Sequence, residues 1–314
     1  MAQFMPRTAF PQQLSLPRSY YLGHHASGLS RMKTMLSSID LIIECRDYRV
    51  PLTSRNPLFE QSLAGRERVI VYTKRDLGSH GLAVDKKRET QHGLAHDSLT
   101  GSRILIVGMP NVGKSSLLNA LRMAGVNRGK AAFTGAQPGI TRKIASGVKI
   151  VDPDPETGTE GVYLVDTPGV FVPFVPDTES MLKLALVGSV KDTIIAPTTL
   201  ADYLLFHMNL KVGGRVYGEY CGATNDVVEF LEGVCRKTGR LGKGGVPDLE
   251  AAALWVVQRW RQGNLGRFVL DEVEVDGLER KVAEEVRMSV SQARKQAKDV
   301  QRMRAKTKKS DSMG

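Results

Sequence analysis

Eight residues, Gly108-Met109-Pro110-Asn111-Val112-Gly113-Lys114-Ser115, constrain this chain more than any other stretch. They spell G-x-x-x-x-G-K-S, entered from the apolar residues 104–107 and followed by Leu117, Leu118 and Leu121 at helical spacing. A buried strand, a tight loop and a helix are therefore expected in that order. Polyphosphate requires converging backbone N–H groups, which a glycine-rich turn running into a helix N-terminus supplies at close range. Asn111, Val112, Gly113, Lys114, Ser115 and Ser116 are the expected phosphate-binding residues, Lys114 bringing charge to the β- and γ-oxygens and Ser115 a hydroxyl to Mg²⁺. The pattern marks a nucleotide-binding protein.

The base is read from upstream residues. A β-rich run over 68–72 leads into Thr73-Lys74-Arg75-Asp76, a variant of the N-K-x-D guanine signature with Thr for Asn. A carboxylate at Asp76 can accept from guanine N1–H and its N2 amine together, a donor pair that adenine lacks. Downstream, the strand-like residues 162–165 deliver Asp166-Thr167-Pro168-Gly169, a D-x-x-G element. Asp166 is expected to reach Mg²⁺ through a water and the Gly169 N–H to sense the γ-phosphate. Between the two lies Pro138-Gly139-Ile140-Thr141, a first switch whose Thr141 hydroxyl would complete the metal shell.

The order of these elements is permuted, because Asp76 precedes Lys114 while ordinary small GTPases place the base-reading motif last. In this the chain resembles the circularly permuted GTPases, and among them the ribosome biogenesis GTPase A group with its mitochondrial ribosome-assembly members. Similar to that group are Gly23-His24-His25-Ala26, Asp47-Tyr48-Arg49-Val50-Pro51 and Ser54-Arg55-Asn56-Pro57 after the first strand, Leu182-Lys183-Leu184-Ala185-Leu186, and Val190-Lys191-Asp192. The resemblance implies a circularly permuted Ras-like α/β domain with a phosphate loop, followed by a small all-helical domain. It also implies GTP hydrolysis in maturation of the large ribosomal subunit, with ribosomal RNA as partner.

Val170 follows the D-x-x-G glycine where many GTPases have Gln, and an apolar residue cannot orient water. The resemblance points instead to His24 as the catalytic residue, a surface or capping histidine being the other reading. It likewise points to potassium beside the phosphates at Asn111, against a plain turn role for that residue. Two departures stand out. Residues 77–102 are short, polar and His-rich, with no strand to back the guanine, and Thr73 replaces an amide with a hydroxyl.

Charge and composition agree with an acidic partner: 44 Lys and Arg face 33 Asp and Glu, a formal charge of +11 over 314 residues. Cys45, Cys221 and Cys235 have no paired spacing, and His92 with His96 lacks a third ligand, so neither a disulfide framework nor a zinc site is expected. No run of about 20 apolar residues exists. Residues 1–22 are basic and read as a transit peptide or merely a basic tail, which places the protein in the mitochondrial matrix, soluble or peripheral on the inner membrane, with the cytoplasm as the alternative. The GTPase domain is expected over 23–195 and the helical domain over 196–270, with helices over 199–210, 225–236 and 248–262 and with Trp255 and Trp260 in its core. Residues 271–314 are expected to form a charged helical or disordered basic tail, solvated by default and, given the resemblance, suited to phosphate-backbone contact with ribosomal RNA. An RNA-binding scaffold with weak nucleotide affinity is the other functional class open to this sequence.

Overall fold

The computed structural model describes residues 4–11, 36–56, 63, 67–78, 102–131, 147–156, 160–166 and 175–272. Five strands make one sheet: β1 (Leu41–Asp47), β2 (Arg68–Thr73), β3 (Ser102–Gly108), β4 (Val148–Val151) and β5 (Val162–Asp166), in the order β2-β1-β3-β5-β4. All neighbours are parallel except β4 and β5. The apolar run before the phosphate loop becomes central β3, where Leu105, Ile106 and Val107 are all buried, as a parallel strand covered on both faces requires. Leu105 and Val107 join Ile42, Leu63 and Val165 in one apolar cluster, while Ile106 joins Leu118, Ile150 and Leu164 in another, following the two-residue alternation of a strand.

β1 carries charge into the sheet. Glu44 and Arg46 are buried and tied by a 2.6 Å ion pair, and Arg68 of β2 closes on Glu44 at 2.9 Å. Both oxygens of the Glu44 carboxylate are thus compensated, without which its burial would be prohibitive.

Helix α1 (Lys114–Val126) leaves the phosphate loop and packs Leu118 on the sheet face that holds Ile106, Ile150 and Leu164. Gly125 lies so close to β4 that an added Cβ would sit 1.8 Å from the Ile150 carbonyl oxygen. Beyond the sheet come α2 (Thr178–Leu186), α3 (Pro197–Val212), α4 (Val227–Thr238) and α5 (Leu249–Arg261). Their starts are set locally: the side chains of Asp177, Asp226 and Asp248 accept from Ser180, Val228 and Ala251 N–H groups, and Pro197 opens α3. Gly213 and Gly239, at φ 73° and 70°, end α3 and α4. The last three helices fall within a few residues of the segments expected from periodicity.

One apolar cluster joins Cys45, Val50, Met109 and Val112, at and beside the phosphate loop, to Leu184, Leu204, Phe230, Val256 and Trp260 of the helices. Trp260 is in that core, whereas Trp255 is half-buried between Arg240 and Arg259 with its edge toward Tyr220. The N-terminal segment also packs here. Arg7 pairs with Asp202 of α3 at 2.5 Å, and Phe10 meets Tyr203 edge-on with centroids 5.1 Å apart. Residues 1–271 form one compact unit and 272–314 a second, of which only Glu272 is described. Among the described residues, no helix is long and apolar enough to cross a membrane, and Cys45, Cys221 and Cys235 are free thiols.

Candidate nucleotide site

Because β1, β2, β3 and β5 run parallel, their carboxyl ends share one edge of the sheet. Asp47 pairs with Thr73, Cys45 with Gly108, and Ile106 with Asp166. After β3 the chain builds β5 and β4 on one side, while β1 and β2 lie on the other. The crevice between β3 and β1 is therefore the place where an open α/β sheet binds ligand.

The phosphate loop occupies that crevice. Gly108 has φ 143° and touches β1, since a Cβ there would lie 2.4 Å from the Cys45 carbonyl oxygen; Gly113 has φ 95°. Only glycine holds such angles without strain. Asn111 takes φ 59°, a left-handed angle that asparagine tolerates. The loop ends at Lys114, where α1 begins with its first-turn N–H groups unused by the helix, a ready anion site. The buried Lys114 ammonium donates to the Gly108 and Met109 carbonyls at 3.0 and 2.7 Å, so its charge is held inside the loop. Ser115 is half-buried and Ser116 exposed in that first turn.

The base-reading loop clasps the phosphate loop directly. Thr73 Oγ1 donates its one hydrogen to the Val112 carbonyl, and the Arg46 carbonyl lies 3.1 Å from the same oxygen. The hydroxyl therefore supplies the tie that the absent asparagine amide would have made. Lys74, left-handed at φ 57°, sends its Nζ to the Asn111 carbonyl oxygen and to Asp47 Oδ2 at 3.0 Å. Burial pulls its ammonium below the usual lysine range, against the opposing pull of Asp47 and with help from the Arg49 and Arg261 cations. Asp76 is exposed in the short 3-10 turn Arg75–Leu77, open to a base.

A third wall comes from the segment after α2. Asn111 Nδ2 donates to the Gly188 carbonyl at 2.8 Å, and Ser189 Oγ to the Pro110 carbonyl at 3.1 Å. Arg261, at the end of α5, donates to the Ala185 and Leu186 carbonyls in the last turn of α2 and pairs with Asp192 at 2.6 Å. A strap after α5 then crosses back to the loop that follows β1. Leu270 N–H donates to the Arg49 carbonyl, and the buried Asp271 carboxylate accepts from the Leu52 and Thr53 N–H groups, the Thr53 hydroxyl and Lys183.

Thr73, Lys74, Asp76 and Asn111 through Ser116 thus meet at one edge. His24, Thr141 and Gly169 lie outside the described residues, as do residues 79–101 with His92 and His96; the Asp166 backbone ends β5, and its side chain is outside the description. Asp47, Arg49, Arg261 and Asp271 carry the site's supports and had no role in the sequence reading. A signal existed for the first two, since Asp47 and Arg49 stand two apart at a strand end within the quoted 47–51 motif, but their other partners, Lys74 and Val187, are remote in sequence.

Against known proteins, the family described as 50S ribosome-binding GTPase matches residues 103–230. The chain is 35% identical to Mitochondrial GTPase 1 of Schizosaccharomyces pombe, over 88% of this chain and 95% of that protein. It is 33% identical to Mitochondrial ribosome-associated GTPase 1 of Bos taurus, over 86% and 93%. Among solved structures, GNP-bound YlqF from T. maritima aligns with TM-score 0.51 at 24% identity, covering 79% of this chain and 99% of that one, which is a likeness of fold.

Proposed function

This chain belongs to the mitochondrial GTPase 1 family, and from that premise we propose that it is a GTP-hydrolysing switch of the mitochondrial matrix that acts on the large ribosomal subunit. The observation that carries the nucleotide half of this reading is the clasp of base loop on phosphate loop, in which Thr73 and Lys74 donate to the Val112 and Asn111 carbonyls. That clasp sets the distance between a phosphate cradle and a guanine-reading carboxylate, as one nucleotide spanning the two requires. Lys114 and the N–H groups of Asn111 through Ser116 take the phosphates, and Asp76 reads guanine.

The donor set fits Mg²⁺, a hard cation that takes oxygen ligands. Ser115 stands in the first turn of α1, and β5 brings Asp166 to the same sheet edge as Gly108. Ser115, Thr141 and, through a water, Asp166 would hold the ion, which would neutralise charge developing on the phosphate oxygens. His24 orients the attacking water in place of the apolar Val170. Potassium would take the Asn111 side-chain oxygen, the amide nitrogen being held by Gly188. The ribosome half rests on the relatives' names and on the basic residues between 294 and 309, which suit RNA phosphates.

Three measurements test the reading. Lys114→Ala should abolish GTP turnover, and Asp76→Asn should collapse the preference for GDP over ADP. Sedimentation with mitochondrial large subunits should depend on nucleotide state. Nucleotide-independent sedimentation together with no turnover would replace the switch by an RNA-binding scaffold.

A further inference from the structure

Asp47 ends β1 opposite Thr73 and is fully buried. Its Oδ2 receives Lys74 Nζ at 3.0 Å and Arg49 Nη2 at 2.8 Å, while Oδ1 receives Arg49 Nε and the Arg49 backbone N–H, each at 3.0 Å. Burial alone would raise this carboxyl, but the Lys74 and Arg49 cations and the Arg49 hydrogen bonds overcome that and hold it well below the usual carboxylate range. It is a fixed anion. Arg49 is fixed in turn, with its guanidinium 4.9 Å from the Trp260 ring centroid and donating to the Val187 carbonyl.

Lys74 is the mobile partner in chemical terms, since its four-carbon stem can reach many places. Its backbone is left-handed and its ammonium donates to Asp47 on one side and to the phosphate-loop Asn111 carbonyl on the other. A single carbonyl holds an ammonium weakly, whereas a buried carboxylate holds it strongly. We propose that Asp47 is a positioning residue for guanine recognition: it pins the Lys74 ammonium against the phosphate loop and so sets the base-reading loop, and Asp76 with it, at the correct distance from the phosphates. The proposal rests on the reading of 73–76 as the guanine-reading loop.

The test is a double-mutant cycle read by titration of GDP and ADP into folded protein, with Asp76→Asn alongside. Asp47→Asn and Lys74→Met should each lower GDP affinity about tenfold, a normal coupling for groups in contact, and narrow the GDP-to-ADP ratio. The double variant should be no weaker than Lys74→Met alone, because Asp47 acts through Lys74. Where Asp47→Asn does not fold, Asp47→Asn with Arg49→Gln, which removes the stranded cation, takes its place in the cycle. Additive losses, or an unchanged GDP-to-ADP ratio in a folded Asp47 variant of lower melting temperature, would overturn the proposal and leave Asp47 a purely structural residue. An unchanged ratio in Asp76→Asn would instead sink the guanine-reading assignment itself.

Discussion

His207 on α3 is buried with neither ring nitrogen hydrogen-bonded, set among Tyr203, Phe206 and Phe268. Burial, then the Lys183 and Lys211 cations, push its ring down to about 3, against a weaker opposing pull from Asp271. The folded protein therefore keeps it neutral where the unfolded chain takes up a proton near pH 6.5. As pH falls from about 6.5 toward 3, the unfolded state binds more protons and stability drops. Between pH 6.5 and 5 the loss should be about 2 kcal/mol. Asp47 works in a separate window, because its depressed carboxyl stabilises the fold above the unfolded value near 4 and loses that effect only below it. His207→Phe should flatten urea-derived stability between pH 6.5 and 5 and raise it at pH 5. A slope equal to wild type in that window would show that His207 is not the group responsible.

At the scale of elements, α1 and β4 meet at a contact that admits no side chain. Alanine is the better helix former by about 1 kcal/mol, so a helix considered alone would gain from Gly125→Ala. Here the new Cβ would meet the Ile150 carbonyl oxygen at 1.8 Å, and the strand or the helix must retreat. The expected result is a net loss of about 2 kcal/mol, read as a lower urea midpoint at constant slope, with weaker GDP binding because α1 carries the phosphate loop on its first turn. Periodicity and caps made α3, α4 and α5 legible in the sequence, and apolar runs did the same for β2, β3 and β5. β4 escaped notice because four residues with one buried position leave almost no pattern. The phosphate loop was legible because its chemistry is local. Its supports were not, since Asp47 finds Lys74 across 27 residues, Asn111 finds Gly188 across 77, and Thr53 finds Asp271 across 218. For Thr73, chemistry alone indicated a retained hydroxyl, and tertiary structure decided that it bonds to Val112.

Across the whole molecule, the basic N-terminus has two physical demands on it. Composition suits an import signal, yet residues 4–11 are packed on α3, with the Arg7 guanidinium paired to Asp202 and lying 5.6 Å from the Phe10 centroid. Cleavage near residue 22 would strip Phe10 from Tyr203 and Phe206. The chain isolated from mitochondria is therefore expected to retain residues 4–11 by N-terminal sequencing, and Arg7→Ala to lower the melting temperature by about 2–4 °C, the effect of losing roughly 1 kcal/mol from a partly exposed, charge-assisted contact. A mature N-terminus beyond Phe10, with Tm unaffected by the substitution, would show the contact to be dispensable. The Asp271 strap has a consequence of its own for biosynthesis. Synthesis runs from the N-terminus, so β1 and the base-reading loop emerge long before Asp271, the residue that satisfies the Leu52 and Thr53 N–H groups. Closing so long a loop is slow and comes late. A nascent chain thus carries a complete phosphate loop before the loop after β1 is tied down, and this part of the fold closes only once translation has passed the end of the compact unit.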